Sequence, residues 1–416
     1  MQSPFKDLPR EVSILVAASF FVAVGFGIVL PAIPVFAESF GVSNTAIGLI
    51  VSSFAITRFA SGLISGKLVD LFGERLVFSS GVLMVSIFTF LAGLSHTYQQ
   101  LLIFRSAGGL GSSMFSVAAG SVIMRSVDDE HRGRAQSVYN GAFLLGGISG
   151  PAIGGLLSTI SLRAPFFSYS GMLLVSGIVA FLFLKGEKIG KKVKDSDTKN
   201  HTSIREALAM KPYRIALVIA FLANWVFFGM RSSILPIFVT QDLHSTTAVV
   251  GYGFAISAVF QGLLLMRAGR LSDIQGRRLA AVIGSTIGLA GVIVLTFATH
   301  PWMYIISMAI IGIGGAYLST TPASIVGDVI HGKGGQVIAI FQMAGDAGMM
   351  VGPIIIGWLS DLYSYRIAFA ASAAVFTVAV FLAIQIPETR QSYLSENPRQ
   401  SKAPQVNNLR RLDEDR

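Results

Sequence analysis

The chain has 416 residues, of which 52% are apolar and only 13% are charged, and its formal net charge is +10 at pH 7. A soluble domain carries about 25% charged residues, whereas the mean hydropathy of this chain is +0.66, so the composition excludes an ordinary soluble protein. Cysteine is absent, which excludes disulfides, thiolate metal sites and cysteine nucleophiles.

Twelve long apolar runs follow one another along the chain. Each is long enough for a helix that crosses a hydrocarbon layer about 30 Å thick. The runs are continuous and do not alternate between apolar and polar residues, so they favour helices over the strands of a membrane barrel. We therefore predict an all-α membrane protein with two bundles of six transmembrane helices. The predicted spans are 14–36, 46–66, 76–95, 99–122, 135–157, 165–184, 213–239, 247–266, 279–298, 302–326, 335–358 and 367–386.

Polar segments divide this series. A Lys-rich stretch at 185–212 separates an N-terminal bundle, 1–184, from a C-terminal bundle, 213–386, and we interpret it as a cytoplasmic linker. The last segment, 387–416, is polar and rich in mixed charges, so we expect a disordered cytoplasmic tail.

The basic residues are distributed unevenly between the two sides of the membrane. Of the 32 Lys and Arg residues, 27 lie in the termini and in loops on the side of the termini, and only Arg163 and Arg366 lie in loops on the other side. This asymmetry places both termini in the cytoplasm, and we expect the plasma (inner) membrane. The basic excess then reflects topology and attraction to anionic lipids, and we predict no nucleic-acid partner.

The loop after the second span recurs in the second half. GKLVDLFGER at 66–75 is matched by GRLSDIQGRR at 269–278. Glycines allow a tight turn, and an aspartate here can face the positive end of a helix and pair with local arginines. The candidate gate residues are Gly66, Asp70, Gly73, Arg75, Gly269, Asp273, Gly276, Arg277 and Arg278.

Further landmarks repeat at nearly the same spacing. They are Gly109-Leu-Gly111 and Gly312-Ile-Gly314, Gly150-Pro151 and Gly352-Pro353, and Leu30-Pro31 and Leu235-Pro236. Because each half contains an even number of spans, the halves are parallel repeats related by an axis along the membrane normal. Such an arrangement places a substrate site near the bilayer midplane, between the halves.

The fifth span carries a glycine-rich motif around one proline. Glycines let neighbouring helices approach closely, and the proline removes one helical hydrogen bond and permits a bend. The motif residues are Gly146, Gly150, Pro151, Gly154 and Gly155.

Together, these motifs resemble those of the major facilitator superfamily over residues 12–389, and the fifth-span motif resembles that of its drug:proton antiporter branch. The resemblance implies that the 66–75 loop is a cytoplasmic latch, that the fifth-span motif is typical of antiporters, and that Arg105 takes part in proton coupling. The chain departs from the family pattern at Leu71 and Glu74, where the family loop is basic, and at Gly108, where Gln is frequent. The alternative for the fifth-span motif is close packing without a bearing on direction.

Few ionisable side chains lie within the predicted spans. They are the cations Arg58, Arg105 and Arg231 and the carboxylate Asp346. Such residues are costly in lipid and usually face the interior of the bundle. Because burial disfavours a charged carboxylate, we predict that Asp346 exchanges protons during transport, with Arg231 or Arg105 as its partner. The alternative is a static ion pair that fixes this helix.

Polar and aromatic side chains on otherwise apolar spans are candidates for the substrate cavity. A mixture of apolar walls and a few polar groups suits an amphipathic organic molecule. The candidates are Tyr139, Asn140, Asn224, Trp225, Phe228, Gln261, Tyr317 and Gln342.

The prediction is a monomeric, proton-coupled exporter of small organic molecules that works by alternating access. The chain contains no HExxH pattern and no P-loop, so we predict no metal, no cofactor and no enzymatic activity. A symporter or facilitator for a nutrient such as a sugar or organic acid is the alternative within transport. A non-transporting membrane sensor is the alternative from another class.

Overall fold

The computed structural model describes residues 9–126, 129–184, 202–329 and 335–389. All of its regular elements are helical, and these residues form no strand. The elements are α1 (Arg10–Val29), α2 (Ala32–Glu38), α3 (Asn44–Ala60), α4 (Gly62–Phe72), α5 (Glu74–Gly93), α6 (Tyr98–Ser126), α7 (Asp129–Ile160), α8 (Ala164–Phe183), α9 (Ile204–Ala209), α10 (Lys211–Asn224), a π-helical segment (Trp225–Ile234), α11 (Leu235–Gln241), α12 (Thr247–Gln275), α13 (Arg277–Thr296), α14 (Pro301–Val329), α15 (Gly335–Leu362) and α16 (Tyr365–Ile384).

Each predicted span is helical, and several spans are interrupted helices. The first consists of α1 and α2, the second of α3 and α4 with a bend of 48° between them, and the seventh of α10, the π-helical segment and α11. Among the described residues, ten helices are long and apolar enough to cross a membrane, and the bent pair is an eleventh. The all-α membrane fold is therefore confirmed.

The two halves have separate hydrophobic cores. One is built from side chains between Val12 and Leu184, together with Ile237. The other is built from side chains between Ala207 and Ile386. The short helix α9 lies inside the stretch interpreted as a linker. It begins there because Ser203 and Glu206 form a reciprocal capping box at its start. Residues 185–201 of the linker and 390–416 of the tail lie outside the described residues.

Glycine contacts show that the halves repeat each other in three dimensions. Gly27 of α1 packs against Gly150 of α7, and Gly229 of the π-helical segment packs against Gly352 of α15 in the same manner, 202 residues later. Likewise, the contact between Gly81 and Gly111 is repeated by Gly284 and Gly314, 203 residues later. The internal repeat seen in the sequence is thus a repeat of helix packing.

Two helix pairs make the most extensive contacts between the halves: α3 packs against α15, and α7 packs against α12. We call these pairs the α3/α15 seam and the α7/α12 seam. The bundle has two ends, the N-terminal face, where α1 begins, and the distal face, where α3 and α12 begin. The positive-inside distribution predicts that the N-terminal face is cytoplasmic.

Candidate substrate cavity and seams

A cavity of about 320 Å³ lies between the halves. This volume is at the lower end of the range for small-molecule sites, roughly 300–1,000 Å³. The N-terminal half contributes α1 and α7, and the C-terminal half contributes α10, the π-helical segment, α12 and α14. The lining residues are Ala23, Phe26, Gly27, Leu30, Phe143, Gly147, Pro151, Ala223, Asn224, Phe227, Phe228, Arg231, Ala258, Gln261, Gly315, Leu318 and Ser319.

The π-helical segment positions several of these side chains. Pro236 follows it and has no N–H to donate to the carbonyl of Ser232, four residues earlier. The Ser233 hydroxyl donates to the carbonyl of Gly229, which a regular helix would pair with a backbone N–H. Such local widening of a helix is frequent at functional sites, and here it coincides with the stretch that bears Arg231.

Arg231 reaches the cavity from this segment. Its guanidinium lies over the ring of Phe254, with Cζ 4.5 Å from the ring centroid. Its Nη2 donates a hydrogen bond of 3.3 Å to the carbonyl of Phe254. Its Nε is buried and has no acceptor in the part of the chain that the structure describes. Both contacts come from α12, so they hold the cation within the C-terminal half.

Arg105 resembles Arg231 in its contacts but differs from it in its location. Its Cζ lies 4.6 Å from the ring centroid of Phe54, and its side chain is buried, with no acceptor for Nε. Beside it, the Thr57 hydroxyl donates to the carbonyl of Ser106 at 2.6 Å and joins α3 to α6. Arg105 therefore lies within the N-terminal half and does not line the cavity.

At the distal face, the α7/α12 seam is closed by glycines. A β-carbon built on Gly155 would lie 2.8 Å from Cα of Gly251, and one on Gly251 would lie 2.5 Å from the carbonyl oxygen of Pro151. Any side chain at these two positions would force the helices apart. The fifth-span motif therefore acts at two interfaces, because Gly146, Gly150 and Gly154 pack against α1 while Gly155 packs against α12.

The α3/α15 seam is closed in the equivalent way. Gly48 packs against the carbonyl of Pro353, and Gly357 packs against the backbone of Asn44. Gly48 and Gly251 are 203 residues apart, and Pro151 and Pro353 are 202 apart. The two seams are therefore related by the internal repeat.

Polar contacts reinforce the α3/α15 seam at the distal face. Asp361 accepts hydrogen bonds of 2.8 Å from the backbone N–H groups of Asn44 and Thr45 and one of 2.5 Å from the Thr45 hydroxyl. Next to it, Gln241 donates through Nε2 to Glu38 and accepts a hydrogen bond of 3.3 Å from the Tyr365 hydroxyl. These contacts link the two halves at the distal face.

Asp346 lies farther along the α3/α15 seam, toward the N-terminal face. Among the described residues, the cation with a favourable charge interaction with it is Arg58 of α3, which also interacts with Tyr139. The pairing fits the antiparallel register of the seam, in which α3 and α15 run in opposite directions. Starting from the hydrogen-bonded pair Asn44 and Asp361, 14 residues forward along α3 lead to Arg58, and 15 residues back along α15 lead to Asp346. Among the described residues, Arg58 is thus in range of the Asp346 charge across the seam, whereas the sequence predicted Arg231 or Arg105 as the partner.

The two gate loops differ in their contacts. In the first, Gly73 has a positive φ of 81°, and Arg75 turns toward α8, donating from Nε to the carbonyl of Phe181 at 2.8 Å. Glu74, at a position where the resembled family is basic, accepts a hydrogen bond of 3.1 Å from the Ser121 hydroxyl. Asp70 also makes an interaction, and Gly66 is uncrowded.

The second loop is held by an ion-pair network. Arg277 pairs with Asp273 at 2.5 Å and with Asp328 of α14 at 2.9 Å. Gly276 has a φ of 108°, and Glu388 accepts from the backbone N–H of Arg277 at 2.8 Å. Arg278 is exposed and Gly269 is uncrowded. The first residues assigned to the tail therefore contact this loop.

Of the eight predicted cavity residues, Asn224, Phe228 and Gln261 line the cavity. Trp225 instead packs edge-to-face against Phe221, with ring centroids 5.9 Å apart. Three others do not line it: Tyr139 lies near Arg58, Tyr317 packs against Gly284, and Gln342 is exposed. The side chain of the eighth, Asn140, lies outside the described residues.

Sequence reasoning missed several aromatic lining residues. Phe26, Phe143 and Phe227 line the cavity, but an aromatic residue in an apolar span is more often a packing residue. A usable signal was present in the seventh span, because Asn224, Phe228 and Arg231 are spaced by four and three residues and share one helical face. Across the described part of the chain, no cluster of His, Asp and Glu is suited to hold a metal ion.

Comparison with known proteins agrees with this architecture. The family model described as "Major Facilitator Superfamily" matches residues 15–232 and 217–412. The chain is 25% identical over 384 residues to Multidrug resistance protein 1 of Bacillus subtilis, covering 90% of this chain and 96% of that protein. It is 24% identical over 377 residues to an uncharacterized MFS-type transporter of Methanocaldococcus jannaschii, covering 90% and 97%.

Solved structures share the fold. The structure of a bacterial homolog to the human lysosomal transporter Spinster, in an inward-facing and occupied conformation, superimposes with a TM-score of 0.76 at 15% identity, covering 95% of this chain and 99% of that one. Two similar halves, a cavity between them and the family match over most of the chain lead to one conclusion: this chain belongs to the Major Facilitator Superfamily and is a membrane transporter, not an enzyme.

Proposed function

We propose that the chain is a proton-coupled exporter of small amphipathic organic molecules that works by alternating access. The observation that carries this proposal is the cavity between two repeated halves whose seams are closed by glycine contacts at the distal face. A site between two such halves is what alternating access requires. With the N-terminal face in the cytoplasm, the structure corresponds to a state closed toward the outside.

Two observations support export as the direction of transport. The fifth-span motif, which resembles that of antiporters, joins α1 to α7 and crosses the seam to α12. In addition, relatives that match nearly their whole length have names that refer to multidrug resistance or multidrug efflux.

The cavity walls are mainly aromatic and aliphatic, with few polar groups. Such walls suit amphipathic molecules better than a hydroxyl-rich sugar.

The proton site we propose is Asp346, with Arg58 as its partner. The two residues belong to different halves, and their interaction spans the α3/α15 seam. The charged carboxylate attracts the guanidinium across the seam, and protonation removes this attraction. Binding and release of a proton at Asp346 thereby change the energy of holding α3 against α15.

Transport in proteoliposomes with an imposed pH gradient tests the proposal. Three fluorescent amphipathic probes serve as substrates: ethidium, N-phenyl-1-naphthylamine and 8-anilino-1-naphthalenesulfonate. We expect the pH gradient to drive uptake of at least one probe into the vesicles through transporters inserted with the N-terminal face outward. Asp346→Asn should abolish the dependence on the gradient, while Asp242→Asn, at an exposed distal position, should retain it. Transport that ignores the gradient in the unmodified protein would contradict proton coupling.

A further inference from the structure

Arg231 is the one formally charged residue among those that line the cavity. The other polar side chains in the lining are Asn224, Gln261 and Ser319. An arginine keeps its charge at any physiological pH, and an uncompensated charge within a membrane is costly. The cavity therefore presents a permanent positive charge to whatever enters it.

The protein compensates this charge only in part. The ring of Phe254 covers one face of the guanidinium, and the carbonyl of Phe254 accepts a single hydrogen bond. The buried Nε has no acceptor among the described residues, although the geometry of a guanidinium allows two parallel hydrogen bonds to one carboxylate or a similar anion. Asp346 of α15 interacts instead with the charge of Arg58.

The side chains around Arg231 are suited to bind the apolar part of a ligand. Phe26 and Phe143 from the N-terminal half and Phe227 and Phe228 from the C-terminal half supply apolar aromatic walls. An apolar or aromatic body can pack among these rings while an acidic group reaches the guanidinium.

We propose that the cavity binds organic anions with an apolar body and that Arg231 holds the acidic group. This inference rests on the proposed function, because it names the substrate class of the same cavity. It assigns Arg231 a role in specificity, whereas proton exchange is assigned to Asp346.

Two dyes that differ by one group provide the test. 8-Anilino-1-naphthalenesulfonate and N-phenyl-1-naphthylamine share the same aromatic body, and only the first carries a sulfonate. Their binding to the full chain is measured by fluorescence titration in phosphatidylcholine nanodiscs, with the signal of empty nanodiscs subtracted. We expect Arg231→Gln to weaken binding of the anionic dye by about ten-fold or more, as expected for loss of a charge-assisted hydrogen bond, and to leave the neutral dye within about two-fold. Arg231→Lys, which keeps the charge, should recover part of the loss.

Arg163→Gln is the matched control. Arg163 also lies over a phenylalanine ring, with Cζ 5.7 Å from the centroid of Phe36, but it is at the distal face and does not line the cavity. The Arg163→Gln variant should bind both dyes as tightly as the unmodified protein does. Unchanged anion binding by Arg231→Gln, or an equal loss of both dyes, would overturn the inference. The titration needs no gradient, so a failure of gradient-driven transport would count against the proposed function alone.

Discussion

The carboxylate of Asp361 is bound to both the backbone N–H and the hydroxyl of Thr45, at 2.8 and 2.5 Å. Thr45 lies in the first turn of α3, where backbone N–H groups have no partner within the helix and the helix dipole favours a negative charge. The end of α15 in one half thus completes the start of α3 in the other. Separation of α3 from α15 at the distal face would break this contact.

Removing this carboxylate should open the distal face. Asp361→Ala deletes charge-assisted hydrogen bonds at an exposed site, and we expect a cost to the closed state of about 1–2 kcal/mol. The chain contains no cysteine, so spin labels can be placed at Gln99→Cys and His300→Cys, two exposed distal positions in opposite halves. In the Asp361→Ala variant, pulsed electron paramagnetic resonance should show a larger population of molecules with a long distance between the two labels. An unchanged distance distribution would mean that the glycine contacts alone hold this face closed.

The glycines of the two seams should behave alike because the internal repeat relates them. Gly48→Leu and Gly251→Leu each place a side chain where a β-carbon already meets the backbone of the opposite half. Both should prevent closure of the distal face and shift the same spin-label distances outward. Gly171→Leu on α8, where a β-carbon meets nothing within 4 Å, is the control. Opposite responses at Gly48 and Gly251 would contradict the equivalence of the seams.

A double-mutant cycle can measure the interaction between Arg58 and Asp346. If the two charges attract each other across the seam, Arg58→Gln and Asp346→Asn should be non-additive, with a coupling energy of about 0.5–3 kcal/mol in thermal unfolding. The same cycle with Arg105→Gln and Asp346→Asn should be additive, because Arg105 contacts Phe54 inside its own half. Coupling only in the Arg105 cycle would move the partner of Asp346 to α6.

The two glycines of the second gate motif, Gly269 and Gly276, should differ in how much an alanine substitution destabilises the protein. Gly276 has a φ of 108° and lies against Glu388, so Gly276→Ala should destabilise the protein by about 1–3 kcal/mol. Gly269 is inside α12 with no atom near its missing β-carbon. Gly269→Ala should be neutral or slightly stabilising, because alanine favours helix. Thermal unfolding in detergent compares the two variants. An equal loss of stability in both would contradict the argument that the turn at Gly276 requires glycine.

The fold was predictable because hydropathy and the repeated motifs report on it directly. Apolar runs must be helical in lipid, and the offset between Gly150-Pro151 and Gly352-Pro353 reappears as equivalent helix contacts. The interruptions were harder to predict. The break between α3 and α4 and the π-helical segment depend on tertiary packing, and the apolar runs continue through both.

The candidate site was predictable only in part. Asn224 and Gln261 were identifiable because an amide in an apolar span is costly unless it has a partner or faces a cavity. Trp225 was adjacent in sequence but points elsewhere, since a change of one residue rotates a side chain about 100° around the helix. The proximity of Arg58 to Asp346 depends on the register of α3 against α15, which no local pattern contains.

The two seams have the same glycine architecture but not the same charges. In the α3/α15 seam Asp346 and Asp361 face the opposite half, whereas the positions 202 residues earlier, 144 and 159, are Leu and Thr in α7. Binding of a proton at Asp346 would therefore change the charge at the α3/α15 edge of the molecule, whereas Leu144 and Thr159 have no proton to exchange. Such unequal loading favours a swing about α7 and α12 as the fixed edge, so a duplicated scaffold can move asymmetrically.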